Sequence, residues 1–210
     1  MKPDWKALYA RYRTDEDFRT RVSFTTPFVI TFFDCGIKAL SAYLAKSAWM
    51  GSMAFYYLVL GVMQLSLARG ARRNRTDAPR LYRFYGRLLL VLTLALAAMS
   101  FHTLMYGHAI QYPGFFIYAA ALSTFCHLTM AIVNLARHTS GFRPVQSIRN
   151  LLNLVTASVS LFFLQVSLLD VFGANEPWER YLNMATGAVV FWLIASMAVF
   201  FIQKSKRTGS

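Results

Sequence analysis

The sequence predicts an all-α polytopic transmembrane bundle of about six spans, arranged, if a repeat is present, as three consecutive helical hairpins. Three observations point there. The 210-residue chain is 56% hydrophobic but only 15% charged, well below the roughly one-quarter charged fraction of soluble domains. Its charges fall in short blocks, separated by apolar runs of about 20 residues, long enough to cross hydrocarbon as a helix. No segments of alternating polarity appear, so a transmembrane barrel is excluded in favour of helices that satisfy their own backbone hydrogen bonds.

The first span is read from about Pro27 to Ala48. Thr26-Pro27 resembles a helix start, with a hydroxyl N-cap followed by a proline whose missing N–H costs nothing at the first position. The second runs from about Trp49 to Ala68 after a very tight turn. The third covers about Phe84–Tyr106. The fourth starts at Pro113, again a proline start, and reaches about Ala136. The fifth extends from about Ile148 to Phe172, and the sixth from near Pro177 to near Gln203. The domain plan is therefore an N-terminal arm at 1–22, a six-helix membrane domain at 23–204 and a short tail at 205–210. In the arm Trp5, Leu8, Tyr9 and Tyr12 recur at helical spacing among Lys6, Arg11 and Arg13, which suits a helix lying in the headgroup layer or a solvated arm. Thr14 and Asp17 have capping-box spacing. The first twenty-odd residues lack the apolar stretch of a cleavable signal peptide.

Charge assigns an orientation. Arg69, Arg72, Arg73, Arg75, Arg80, Arg83 and Arg87 follow the second span, and Arg137, Arg143 and Arg149 follow the fourth. Lys204, Lys206 and Arg207 close the sixth, while the intervening loops are nearly bare of cations. Positive residues collect on the cytoplasmic side, so both termini are expected in the cytoplasm of a cell-membrane protein, which requires an even number of spans. The net charge of +13 follows this topology. It calls for anionic lipid headgroups at the cytoplasmic face and no nucleic acid. Asn74-Arg75-Thr76, a glycosylation sequon by pattern, lies on that same side and reads as chance. Arg69, Arg137 and Lys204 close successive even spans at nearly equal intervals, which is the basis for the three-hairpin reading, although topology alone also produces it.

Candidate functional residues are polar groups at membrane depth. Asp34 and Lys38 stand mid-span at i, i+4 with the acid first, a spacing that pairs them on one face, and Thr31 and Ser41 extend that face. Charge at this depth belongs in a bundle interior or a water-filled cavity. It is either a solute, ion or proton site or a self-neutralised pair that orients the helix. Ser123, His127, Met130 and Asn134 form a stripe on the fourth span. Asn150, Asn153, Ala157, Ser160 and Ser167 do so on the fifth, with Gln165 towards its outer end, and Tyr57, Gly61 and Gln64 on the second. Such stripes also serve helix packing. The candidate binding set is Asp34, Lys38, Ser41, Gln64, His127, Asn134, Asn153 and Gln165, lining one interior.

No catalytic motif, redox cysteine pair or phosphate loop is present. Cys35 and Cys126 lie inside spans as packing residues. His102, His108, His127 and His138 do not make the paired sets of a two-haem cytochrome, and His102 with His108 lacks a third metal ligand. The reading is thus without catalytic residue, metal or cofactor, and leans away from an enzyme. It favours binding or passage of a small solute or ion across the bilayer. The alternative is a non-catalytic membrane subunit or scaffold that docks a protein partner, or a second copy of itself, through its basic face.

Overall fold

The computed structural model describes residues 16–72, 77–106, 116–136, 144–173 and 177–208. Within them the chain forms six helices: α1 (Glu16–Ala45), α2 (Ala48–Arg72), α3 (Ala78–Tyr106), α4 (Phe116–Ala136), α5 (Pro144–Phe172) and α6 (Pro177–Thr208). All six are long and apolar enough to span a membrane. The arm with Trp5 to Thr14, the sequon, the loop holding His108 and Pro113, and the segment with Arg137, His138 and Arg143 lie outside the described residues.

Helices outrun the apolar spans. α3 is helical from Ala78 and α5 from Pro144, several residues before the expected Phe84 and Ile148. Hydropathy marks where hydrocarbon ends, whereas a helix continues into the headgroup layer for as long as its own hydrogen bonds hold. The first span departs further. α1 is already helical at Glu16, passes through residues 22 and 23 without a break, and carries Pro27 in its interior. Thr26-Pro27 is therefore not a helix start. Proline removes one backbone bond there, a loss that membrane helices tolerate when neighbours satisfy the freed carbonyl.

Phe32, Phe33, Val91, Leu94 and Trp192 are more than half exposed, an apolar surface made for lipid rather than water. α2 and α5 bury half or more of their spans, against a third or less for the others. They form the centre, and α5 packs against all five other helices. The most extensive pairings are α1 with α2 and α3 with α6, followed by α4 with α5. α3 and α4, the expected middle hairpin, make no packed contact among the described residues. The bundle is thus not three consecutive hairpins. α3 seeks α6 instead because Gly86 admits it. A side-chain carbon added at Gly86 would come within 2.9 Å of Ile202 Cγ1 and 3.2 Å of the Ala198 carbonyl oxygen. Ser205 Oγ on α6 also donates to the Pro79 carbonyl on α3 at 2.6 Å.

Six alternating spans put the start of α1 and the end of α6 on one face, called the terminal face below. Seen from it, the interior changes character with depth. Near the α1–α2 turn the core is aromatic: Phe163 packs edge-on against Trp49 and Tyr56, with ring centroids 5.7 and 6.4 Å away. Met50 and Met53 are fully buried beside this layer in the sequence of α2. Below it, towards the terminal face, the buried positions turn polar.

Candidate functional site

Asp34 is completely buried, and Lys38, one turn later on α1, is nearly so. Lys38 Nζ donates to Asp34 Oδ1 at 2.7 Å. The side chain of a helical lysine leans back towards the helix N-terminus, which is how it reaches an acid four residues earlier. The ammonium also lies 4.1 Å from the centre of the Tyr57 ring, so α2 supplies a second attraction, to the negative face of an aromatic. Lys38 does not snorkel towards a surface.

α4 completes the carboxylate's surroundings. Ser123 Oγ lies 2.9 Å from Asp34 Oδ1 and 3.0 Å from its own Ala120 carbonyl. A hydroxyl has one proton to give, and the charged acceptor is the stronger claimant. Oδ1 is thus saturated by two donors. Oδ2 has no hydrogen-bond partner among the described residues. It faces His127 Nε2 at 4.0 Å, just beyond hydrogen-bond reach, and that nitrogen is also buried and unpartnered. Thr31, three residues before Asp34, is fully buried with its hydroxyl unpartnered in the same sense.

From this centre, polar contacts continue along α2 and α5 towards the terminal face. Tyr57 Oη and Ser160 Oγ share a hydrogen bond of 2.8 Å. Thr124 Oγ1 on α4 lies 3.4 Å from the Ser160 carbonyl. Two turns lower, Gln64 Nε2 donates to Thr156 Oγ1 at 3.2 Å. Thr156 gives its own proton to the Leu152 carbonyl at 2.9 Å, so it can only accept from Gln64. That fixes the amide, with nitrogen to Thr156 and Oε1 left unpartnered. One turn lower again Asn153 is 4% exposed, with neither amide atom partnered among the described residues. At the terminal end Asn150 Nδ2 reaches the Asn134 carbonyl at 3.5 Å, and Arg149 Nη2 reaches Asn150 Oδ1 at 3.4 Å.

Three of the expected site residues, Asp34, Lys38 and His127, come together on facing helices, and Gln64 and Asn153 continue the polar stripe below them. Ser41 is buried on the α1 face one turn beyond Lys38, with its hydroxyl unpartnered. Asn134 is half-buried and takes part through its backbone carbonyl rather than its side chain. Gln165 stands apart: its Nε2 donates to Thr186 Oγ1 on α6 at 3.0 Å, a helix-to-helix contact away from Asp34. Thr124 and Thr156 carry no expectation in the sequence. They hide because each hydroxyl already bonds the carbonyl four residues back on its own helix. Among the described residues no three His, Cys, Asp or Glu side chains are grouped to hold a metal ion.

The arrangement can hold a positive charge or a proton at Asp34 Oδ2, with His127 close enough to exchange one after a small shift. Comparison of the chain with protein-family models, with curated proteins and with solved structures finds no match. The six apolar helices make it a multi-pass integral membrane protein, and its site is read from its own chemistry.

Proposed function

We propose that this membrane protein binds a small solute or ion in the bundle interior and passes it across the bilayer, with a proton or a small cation as the best-fitting cargo. The single observation that carries the reading is the half-satisfied carboxylate of Asp34. One oxygen is committed to Lys38 and Ser123, and the other is buried, unpartnered and turned to an equally unpartnered imidazole nitrogen. A pair that served only to neutralise itself gains nothing from such a second oxygen, because an unmet polar group at membrane depth is costly. Placement in the cell membrane with cytoplasmic termini belongs to the same proposal, supported by the charge pattern of the loops. The competing reading, a subunit that docks a partner through its basic face, calls for a filled and fully satisfied core, and the unpartnered atoms of Asp34, Gln64 and Asn153 speak against it.

The test is flux through purified protein in liposomes, followed with a trapped pH-sensitive dye and, separately, with sodium and potassium gradients. Asp34→Asn keeps size and hydrogen-bonding capacity but removes the charge. It is expected to stay monodisperse and to lose flux. Wild-type protein that moves none of these ions, or an Asp34→Asn variant as active as wild type, overturns the proposal.

A further inference from the structure

Between Asp34 and the terminal face the buried amides of Gln64 and Asn153 have polar atoms aimed into the bundle with nothing among the described residues to meet them. Both side chains are at least nine-tenths buried. Membrane helices do not leave a complete side-chain amide unmet in a dry interior. The helix beside Gln64 tolerates a slightly larger group. Gly61, buried one turn from Gln64 on α2, would meet only Thr31 Cγ2, at 3.8 Å, if a side-chain carbon were added. On the other side of Asp34 the unpartnered buried atoms are single groups, Ser41 Oγ, Tyr56 Oη and Trp49 Nε1, the last two set in the aromatic layer around Phe163. The interior is therefore asymmetric, with side-chain amides on the terminal side and isolated hydroxyl and indole groups among aromatic rings on the other.

We infer that Gln64 and Asn153, flanked by the side-chain-free position of Gly61, form a water-holding site through which Asp34 is reached from the terminal face alone. Water supplies what these atoms need, since one molecule both donates and accepts and takes two to four partners. Asn153 presents a donor and an acceptor, and Gln64 a fixed acceptor, so a chain of waters fits where a bare cation would face an amide N–H. From Ser160 down to Asn153 the rise along α5 is about 10 Å, a distance that a few waters bridge. The inference rests on the functional reading above for its purpose, the delivery of protons or small ions to Asp34, but not for its test.

The test is cysteine accessibility in a background where Cys35 and Cys126 are replaced by alanine. Asn153→Cys and Gly61→Cys are expected to react with a small, charged, membrane-impermeant methanethiosulfonate applied at the terminal face, and not when it is applied at the opposite face. Met53→Cys is expected to react from neither. Arg80→Cys, at the exposed start of α3, reports which face the reagent has reached. The reading is a mass shift by one label, taken only on variants that remain monodisperse. Protection of positions 61 and 153 from both faces means a dry interior and overturns the inference, as does reaction from the opposite face. Gly61→Cys serves if Asn153→Cys does not fold. Combining Gly61→Cys with Asp34→Asn separates the two proposals: labelling that persists while flux is lost upholds both, and labelling that persists while flux remains upholds the water site alone.

Discussion

A charged pair in a membrane helix acquires its meaning from what surrounds it, and the surroundings of Asp34 and Lys38 are unlike each other. The carboxylate has the Ser123 hydroxyl, and the ammonium has the Tyr57 ring. Exchanging the two residues, Asp34→Lys with Lys38→Asp, preserves net charge but sets a carboxylate against the negative face of the ring and an ammonium beside His127. The exchanged protein is therefore expected to melt below wild type in detergent. Lys38→Ala alone leaves Asp34 without its cation, a loss of about 3–5 kcal/mol for an uncompensated buried charge, and adding Asp34→Ala should recover much of it. An exchanged protein as stable as wild type would show that only the sum of charges matters. The i, i+4 spacing made the pair readable in the sequence, and the polar stripes of spans one, two, four and five announced a shared interior. Thr124 and Thr156 were not readable, because a threonine that bonds its own helix resembles any other residue tolerated in lipid. Gln165 misled for the converse reason: a glutamine at membrane depth needs a partner, and sequence cannot say whether a neighbouring helix supplies it, as Thr186 does.

At the scale of the element, hydropathy located all six spans and several of their ends, Tyr106, Ala136, Phe172 and Pro177 among them, but not the starts of α1, α3 and α5 or the pairing of α3 with α6. The helices run on into charged segments, and the α3–α6 pairing depends on Gly86 meeting residues more than a hundred positions away, a relation that no local pattern carries. The α1–α2 turn is the exception, being local and tight. Lys46 ends α1 with φ at 49°, a left-handed conformation that favours glycine. Ser47 N–H then bonds the Ala42 carbonyl at 3.1 Å, the long bond of a Schellman ending. The same Ser47 begins α2: its carbonyl accepts from Gly51 N–H at 3.1 Å and its hydroxyl from Met50 N–H at 3.4 Å. One residue thus closes one helix and caps the next. Ser47→Ala should cost about 1 kcal/mol through the lost cap. Lys46→Gly should leave stability unchanged or raise it by up to about 1 kcal/mol, since relief of the left-handed strain opposes the greater backbone freedom of glycine when unfolded. Thermal melts of the two variants in one detergent, moving in these directions, check the turn. A clear loss in Lys46→Gly would mean that the lysine side chain, not the backbone, matters there.

The whole molecule carries two gradients, one of charge along its surface and one of polarity through its interior, and they are aligned. Exposed Arg80, Arg83, Arg87, Lys206 and Arg207 crowd the terminal face, while the opposite ends of α1 and α2 show Lys46 as their exposed cation. The buried amides also lie on the terminal side of Asp34, and the aromatic layer on the other. If cations are retained in the cytoplasm, as the positive-inside rule holds, the polar half of the interior opens to the cytoplasm. The orientation can be settled independently of any transport assay. In intact cells expressing the Cys35- and Cys126-free protein, Lys46→Cys is expected to react with an impermeant maleimide, and Arg80→Cys only after the membrane is permeabilised. Both positions are exposed, so failure to react reports the membrane and not burial. The opposite pattern would invert the molecule. The interior site would then open outward, and the cluster of arginines would have to be explained by a partner or a lipid on the outer face instead of by topology.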